Sequence, residues 1–109
     1  MDARGNPETV AELFPSEWLT ADALQGRQVR VVIERIDFED LRQRDGTRER
    51  KAVVTFEKAH KRLILNRTQA KAIQAIAASE RFADWPGLAV VLREGQAPNG
   101  KPTIIVERG

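Results

Sequence analysis

Val29-Arg30-Val31-Val32-Ile33-Glu34-Arg35-Ile36-Asp37-Phe38 decides the architecture. Val29, Val31 and Ile33 point one way and Arg30, Val32 and Glu34 the other, the period-two alternation of a strand. At Glu34-Arg35 the phase slips by one residue, and Ile36 and Phe38 resume the apolar face. One extra residue in an alternating run reads as a β-bulge, which bends and twists a long strand. A strand bent this way can serve both halves of a curved sheet.

Downstream, residues 39–50 form a charged turn region centred on Asp45-Gly46, a hairpin signal. Residues 51–57 alternate again, with Ala52, Val54 and Phe56 inward and Lys51, Val53, Thr55 and Glu57 outward. Residues 58–61 make a tight basic turn, and 62–65 a short strand with Leu63 and Leu65 on one face. Asn66 is a good helix N-cap, and Gln69 three residues later completes a capping-box pattern. Ala70, Ile73, Ile76 and Ala77 then recur at helical spacing, predicting a helix over 67–79. Asp84-Trp85-Pro86-Gly87 is a break. Residues 88–94 and 103–108 read as two strands joined by a Gly/Pro-rich loop.

Upstream, residues 1–15 are polar and broken by Gly5, Pro7 and Pro15, which predicts a flexible tail. Residues 16–25 read as a short helical turn or an irregular lead-in, with Trp18, Leu19 and Leu24 packing on the core. The order is strand, strand, strand, helix, strand, strand. It predicts an all-β domain with one helix over residues 16–109, a five-stranded OB-fold barrel (β-β-β-α-β-β). An SH3-like barrel lacks a helix at this position; a small open α+β sheet is the other arrangement.

Composition narrows the chemistry. The chain has 109 residues, no Cys, no Tyr, one His, four Phe and two Trp. That length suits one domain. Disulfides, thiolate nucleophiles and Cys-based zinc sites are excluded, and His60 alone cannot make a two-His metal site. Ser16 and Ser79 lack a Gly-x-Ser-x-Gly setting, Gly100-Lys101-Pro102 is no phosphate loop, and there is no Gly-x-Gly-x-x-Gly. A non-catalytic protein without cofactor or metal is expected. The longest apolar stretch, residues 88–92, is far short of the ~18 residues that span a bilayer. The first residues carry no apolar signal region. No membrane association and a cytoplasmic location are expected.

The formal net charge of +2 hides a segregated distribution. Residues 1–41 hold four bases and nine acids, 42–71 ten bases and three acids, and 72–109 four of each. A positive segment inside a nearly neutral chain suits an anionic partner, although a solvated surface with locally paired charges accounts for the same residues.

Leu63-Ile64-Leu65-Asn66-Arg67-Thr68-Gln69-Ala70-Lys71-Ala72-Ile73 resembles the L-x-L-N-x-T-x-A-x-x-I stretch of a family of small phage and prophage proteins. Ala21-Asp22-Ala23-Leu24-Gln25-Gly26 is similar to that family's lead-in, one residue longer, and Asp84-Trp85-Pro86-Gly87 to its step before the fourth strand. The resemblance covers roughly residues 16–108. It implies an OB-like fold and single-stranded DNA binding near phage replication or recombination, in the host-cell cytoplasm if phage-encoded. It brings no catalytic residue.

OB-folds bind oligonucleotides on the face of strands two and three, between the loops joining strands 1–2 and 4–5. The expected surface carries Lys51, Val53, Thr55, Lys61, Arg62 and Ile64, with Arg42, Arg44, Arg48 and Arg50 from the first loop and Arg93 and Lys101 at the second. Contacts to about four to six phosphates would give a log–log salt slope of roughly −3 to −4. Phe38 and Phe56 fall on the inward face, and Phe82 and Trp85 sit by the helix end, which leaves Phe14 and Trp18 as candidates for base stacking. His60 reads as a surface turn residue, and Asp37, Glu39 and Asp40 as an acidic cluster neutralised by Arg42 and Arg44 rather than a cation site. The expected partner is single-stranded DNA, with a protein of the replication machinery as a second. A protein–protein adaptor that uses Val53 and Ile64 as its contact is the alternative from another class.

Overall fold

The computed structural model describes residues 3–6, 18–43 and 45–109. Most of the expected 1–15 tail lies outside the described residues. The elements, in chain order, are α1 (Ala21–Leu24), β1 (Val29–Arg42), β2 (Arg48–Phe56), β3 (Leu63–Ile64), α2 (Arg67–Ala77), a 3₁₀ turn (Phe82–Asp84), β4 (Ala89–Gln96) and β5 (Pro102–Arg108). The strands form one antiparallel sheet in the order β3-β2-β1-β4-β5.

Two expectations need correction. Among the described residues the order begins with a helix, so they form two helices rather than one. The lead-in closes into a helical turn because Ala21 and Leu24, three residues apart, both reach the core. The sheet is also not closed into a barrel: β3 and β5 are its two edges. β3 is only two residues long and already pairs with β2 through Val53↔Ile64 and Val54↔Leu63. At the other edge the buried Gln69 side chain donates through Nε2 to the Ile104 carbonyl at 2.9 Å. A side-chain amide thus satisfies a β5 edge group that a closing strand would otherwise take.

The bulge falls where the sequence places it, between Ile33 and Arg35. On its N-terminal side β1 pairs with β4, from Val29↔Leu92 to Val32↔Ala89. On its C-terminal side β1 pairs with β2, from Arg35↔Thr55 to Arg42↔Arg48. At the crossover Ile33 N–H donates to Leu88 O at 2.9 Å, Gly87 N–H to Ile33 O at 2.7 Å, and Glu57 N–H to Val32 O at 2.9 Å. Gly87 sits at φ 89°, a backbone that favours glycine. The Asp84-Trp85-Pro86-Gly87 step therefore steers the chain into β4.

The core gathers Ile33, Val54, Phe56, Leu63, Leu65, Ile73, Trp85, Val90, Leu92, Ile104 and Val106 with Ala21 and Leu24 of α1. Burying each large side chain fully is worth about 1.5–3 kcal/mol. α2 begins with the expected capping box: Asn66 Oδ1 accepts from Gln69 N–H at 2.8 Å, and Gln69 Oε1 from Asn66 N–H at 3.0 Å. It ends at Ala78, which adopts a left-handed φ of 53°.

Candidate nucleic-acid interface

The β1–β2 hairpin is longer than the sequence suggests, because pairing continues through the charged stretch to Arg42↔Arg48. Its turn is held by Gln43 N–H donating to Thr47 O at 2.7 Å and Gly46 N–H donating to Gln43 O at 3.1 Å. Asp45 Oδ1 accepts from the Thr47 hydroxyl at 2.6 Å and the Thr47 N–H at 3.0 Å. These two bonds hold the Asp45 carboxyl below its usual pKa.

Register divides the hairpin into two faces. The core-side face reads Ile36↔Val54, Phe38↔Ala52, Asp40↔Arg50 and Arg42↔Arg48. The opposite face reads Arg35↔Thr55, Asp37↔Val53, Glu39↔Lys51 and Leu41↔Glu49, with Ile64 beside Val53. The expected basic set is therefore split. Arg42, Arg48 and Arg50 lie together on the core-side face, all exposed, with Asp40 as the one carboxylate in their register. Arg50 Nη1 stands 3.6 Å from Asp40 Oδ1. Exposed pairs of this kind are worth about 0–1 kcal/mol, so an incoming phosphate can compete for the arginine.

On the opposite face the bases are matched by acids. Lys51 pairs with Glu49 at 3.2 Å, Arg35 with Asp37 at 2.9 Å, and Arg62 with Glu39. Val53, expected to be a contact on this surface, is fully buried at 0 % exposure, which removes it from either binding scheme. The Asp37, Glu39 and Asp40 cluster is divided too, since Asp40 points to the face opposite the other two.

The remaining expected residues are dispersed. Lys61 is half-buried beside His60, in a cleft lined also by Val29, Phe56 and Leu92. Arg93 pairs across strands with Glu107. Lys101 is exposed in the β4–β5 turn, where its carbonyl accepts from Ala97 N–H at 2.9 Å. The two loops lie toward opposite ends of β1: β4 runs past Val29 to Gln96 before its turn, whereas the β1–β2 turn follows Arg42. Trp18 is half-buried and forms a parallel bridge with Arg62, whose guanidinium lies 5.0 Å from the indole centroid. That ring already has an arginine against it. Phe14 and Arg44 lie outside the described residues.

An exposed aromatic surface appears elsewhere. Phe38 is 44 % exposed and Phe82 39 %. Their rings meet edge to face at 5.1 Å, and Phe82 meets Trp85 the same way at 4.8 Å. Trp85 anchors the ladder: it is 2 % exposed, and its Nε1 donates to Ser79 O at 3.0 Å. Ser79 Oγ donates to Asp84 at 2.6 Å and accepts from Arg81 N–H at 3.1 Å, which fixes the 3₁₀ turn. The sequence does place Phe38 on the core side; what it conceals is that the hairpin outruns the core. The signal is that the same phase turns from apolar at 36 and 54 to charged at 40, 42, 48 and 50. A row of guanidiniums next to exposed rings can hold phosphates and offer flat apolar contact. No protein-family model matches the chain, and neither a curated protein nor a solved structure matches it.

Proposed function

We propose that the chain is a non-catalytic, single-stranded DNA-binding module of the OB type that works in phage or prophage replication or recombination. The observation that carries the binding reading is the segregation of Arg42, Arg48 and Arg50 on one side of the projecting β1–β2 hairpin, against the single carboxylate of Asp40. Three guanidiniums on one strand-pair face match a run of phosphates, and the acids of the opposite face do not stand between them. The OB reading is supported by β1 serving both β2 and β4, and by a helix between β3 and β4, as in such a barrel left open between β3 and β5. The phage setting rests on the resemblance carried by residues 63–73 and 84–87.

Titration of a fluorescent oligo-dT at two salt concentrations tests it. Binding should weaken steeply as salt rises. Replacing Arg42, Arg48 and Arg50 by Ala should flatten the log–log slope by roughly 2, at about 0.7 per phosphate on a single strand. An unchanged slope places the DNA elsewhere on the molecule, and absence of binding at low salt with tens of micromolar protein rejects the reading.

A further inference from the structure

We infer that Phe38 and Phe82 form a base-stacking platform, so that single-stranded DNA lies along the core-side face of the hairpin with a base on the rings and its phosphates on the guanidinium row. The inference rests on the DNA-binding reading and adds to it a site and a second kind of contact. Among the described residues, Val29, Phe38 and Phe82 are the exposed large hydrophobics, and Val29 lies at the far end of β1 from the arginines. The two rings are continuous with the charged row. Phe38↔Ala52 is followed on the same face by Asp40↔Arg50 and then Arg42↔Arg48. Same-face positions repeat at about 6.7 Å along a strand, close to the step between successive phosphates in an extended single strand. A base stacked at Phe38 therefore brings its neighbouring phosphates to Arg50 and Arg48.

The platform is held in place before any ligand arrives. Trp85 is buried and hydrogen-bonded under Phe82, and Phe82 braces Phe38 edge to face. The cross-strand neighbour of Phe38 is Ala52, whose methyl group leaves space beside the ring. Charge chooses the occupant. An apolar protein surface would bring nothing to Arg42, Arg48 and Arg50, whereas a nucleic acid supplies flat π-faces and anions at alternating positions along one chain.

The test compares two fluorescent oligomers of the same length, roughly 10 nucleotides, and the same phosphate count: oligo-dT and its fully abasic counterpart. The wild-type chain should bind oligo-dT about tenfold more tightly than the abasic strand. Phe38→Ala should bring oligo-dT down to the abasic affinity and leave the abasic affinity unchanged. Phe38→Tyr, which retains the ring, should keep the preference. Phe38→Leu keeps apolar bulk without a flat face, and should also lose the preference; it serves if Phe38→Ala does not fold by circular dichroism. Equal wild-type affinities for the two strands, or a preference that survives in Phe38→Leu, overturns the platform while leaving the phosphate contacts standing. Binding of neither strand at low salt overturns both readings together.

Discussion

Gln69 shows how much one side chain can do at a sheet edge. Its side-chain amide makes two hydrogen bonds, one accepted from the Asn66 N–H in the capping box and one donated to the β5 carbonyl of Ile104, while its backbone N–H closes the box on Asn66 Oδ1. It is the buried polar residue of the described chain, and the bonds explain why burial is tolerated. Gln69→Ala strands the Ile104 carbonyl and the Asn66 N–H, and should destabilise the fold by about 2–3 kcal/mol in urea unfolding. Asn66→Ala loses only the cap and should cost about 1 kcal/mol. Because both residues share the box, the double variant should cost less than the two single costs combined. Asp45 makes a local prediction about pH. Its folded pKa is depressed by its bonds to Thr47, so its contribution is present above the unfolded carboxyl pKa and is lost as pH falls through the folded one. Asp45→Asn keeps an acceptor but not the charge. Wild type should therefore melt above this variant at about pH 7, and the difference should shrink progressively as pH falls below the ordinary carboxyl value.

At the scale of elements, local signals proved legible. The capping box of α2, the phase slip in β1 and the Gly87 step are each written in a few consecutive residues, and each appears where its residues stand. Less legible was anything set by distance. The pattern 39–50 reads as a turn region because it is charged, yet Glu39–Arg42 and Arg48–Arg50 are paired strand, since hairpin pairing needs no core beneath it. That error concealed the candidate site, because a turn has no faces and a strand has two. Closure also depended on tertiary reach: β3 is too short to serve two neighbours. The bulge itself can be tested. Glu34 is the extra residue, and its deletion preserves the in–out phase while removing the bend at which Ile33 bonds to Gly87 and Leu88. The deletion should cost about 3 kcal/mol or more, through stranded backbone groups of ~1–3 kcal/mol each. Glu34→Ala, which keeps the bend, should stay within ~0.5 kcal/mol. Denaturant midpoints of the two variants decide it; equal midpoints would deny the bulge its role.

For the whole molecule, the question is which measure of charge matters. Net charge is +2, and by sequence segment the surplus lies in residues 42–71. By face it is narrower still. Lys51, Arg35 and Arg62 are opposed by Glu49, Asp37 and Glu39 on one side of the hairpin, while Arg42, Arg48 and Arg50 meet only Asp40 on the other. An exchange of neighbours separates these measures. Arg48→Glu combined with Glu49→Arg changes neither net charge, segment charge nor composition, but moves a base from the core-side face to the opposite one. If attraction to DNA follows the overall or segmental charge, oligo-dT affinity at low salt should not change. If it follows the face, the exchange loses one phosphate contact and sets a carboxylate beside Arg42. Affinity should then fall by about fivefold or more, with a flatter salt slope. Both positions are exposed near the hairpin end, so the thermal midpoint should barely move. A fall in affinity at constant stability and constant charge would place the DNA on the face that carries Phe38.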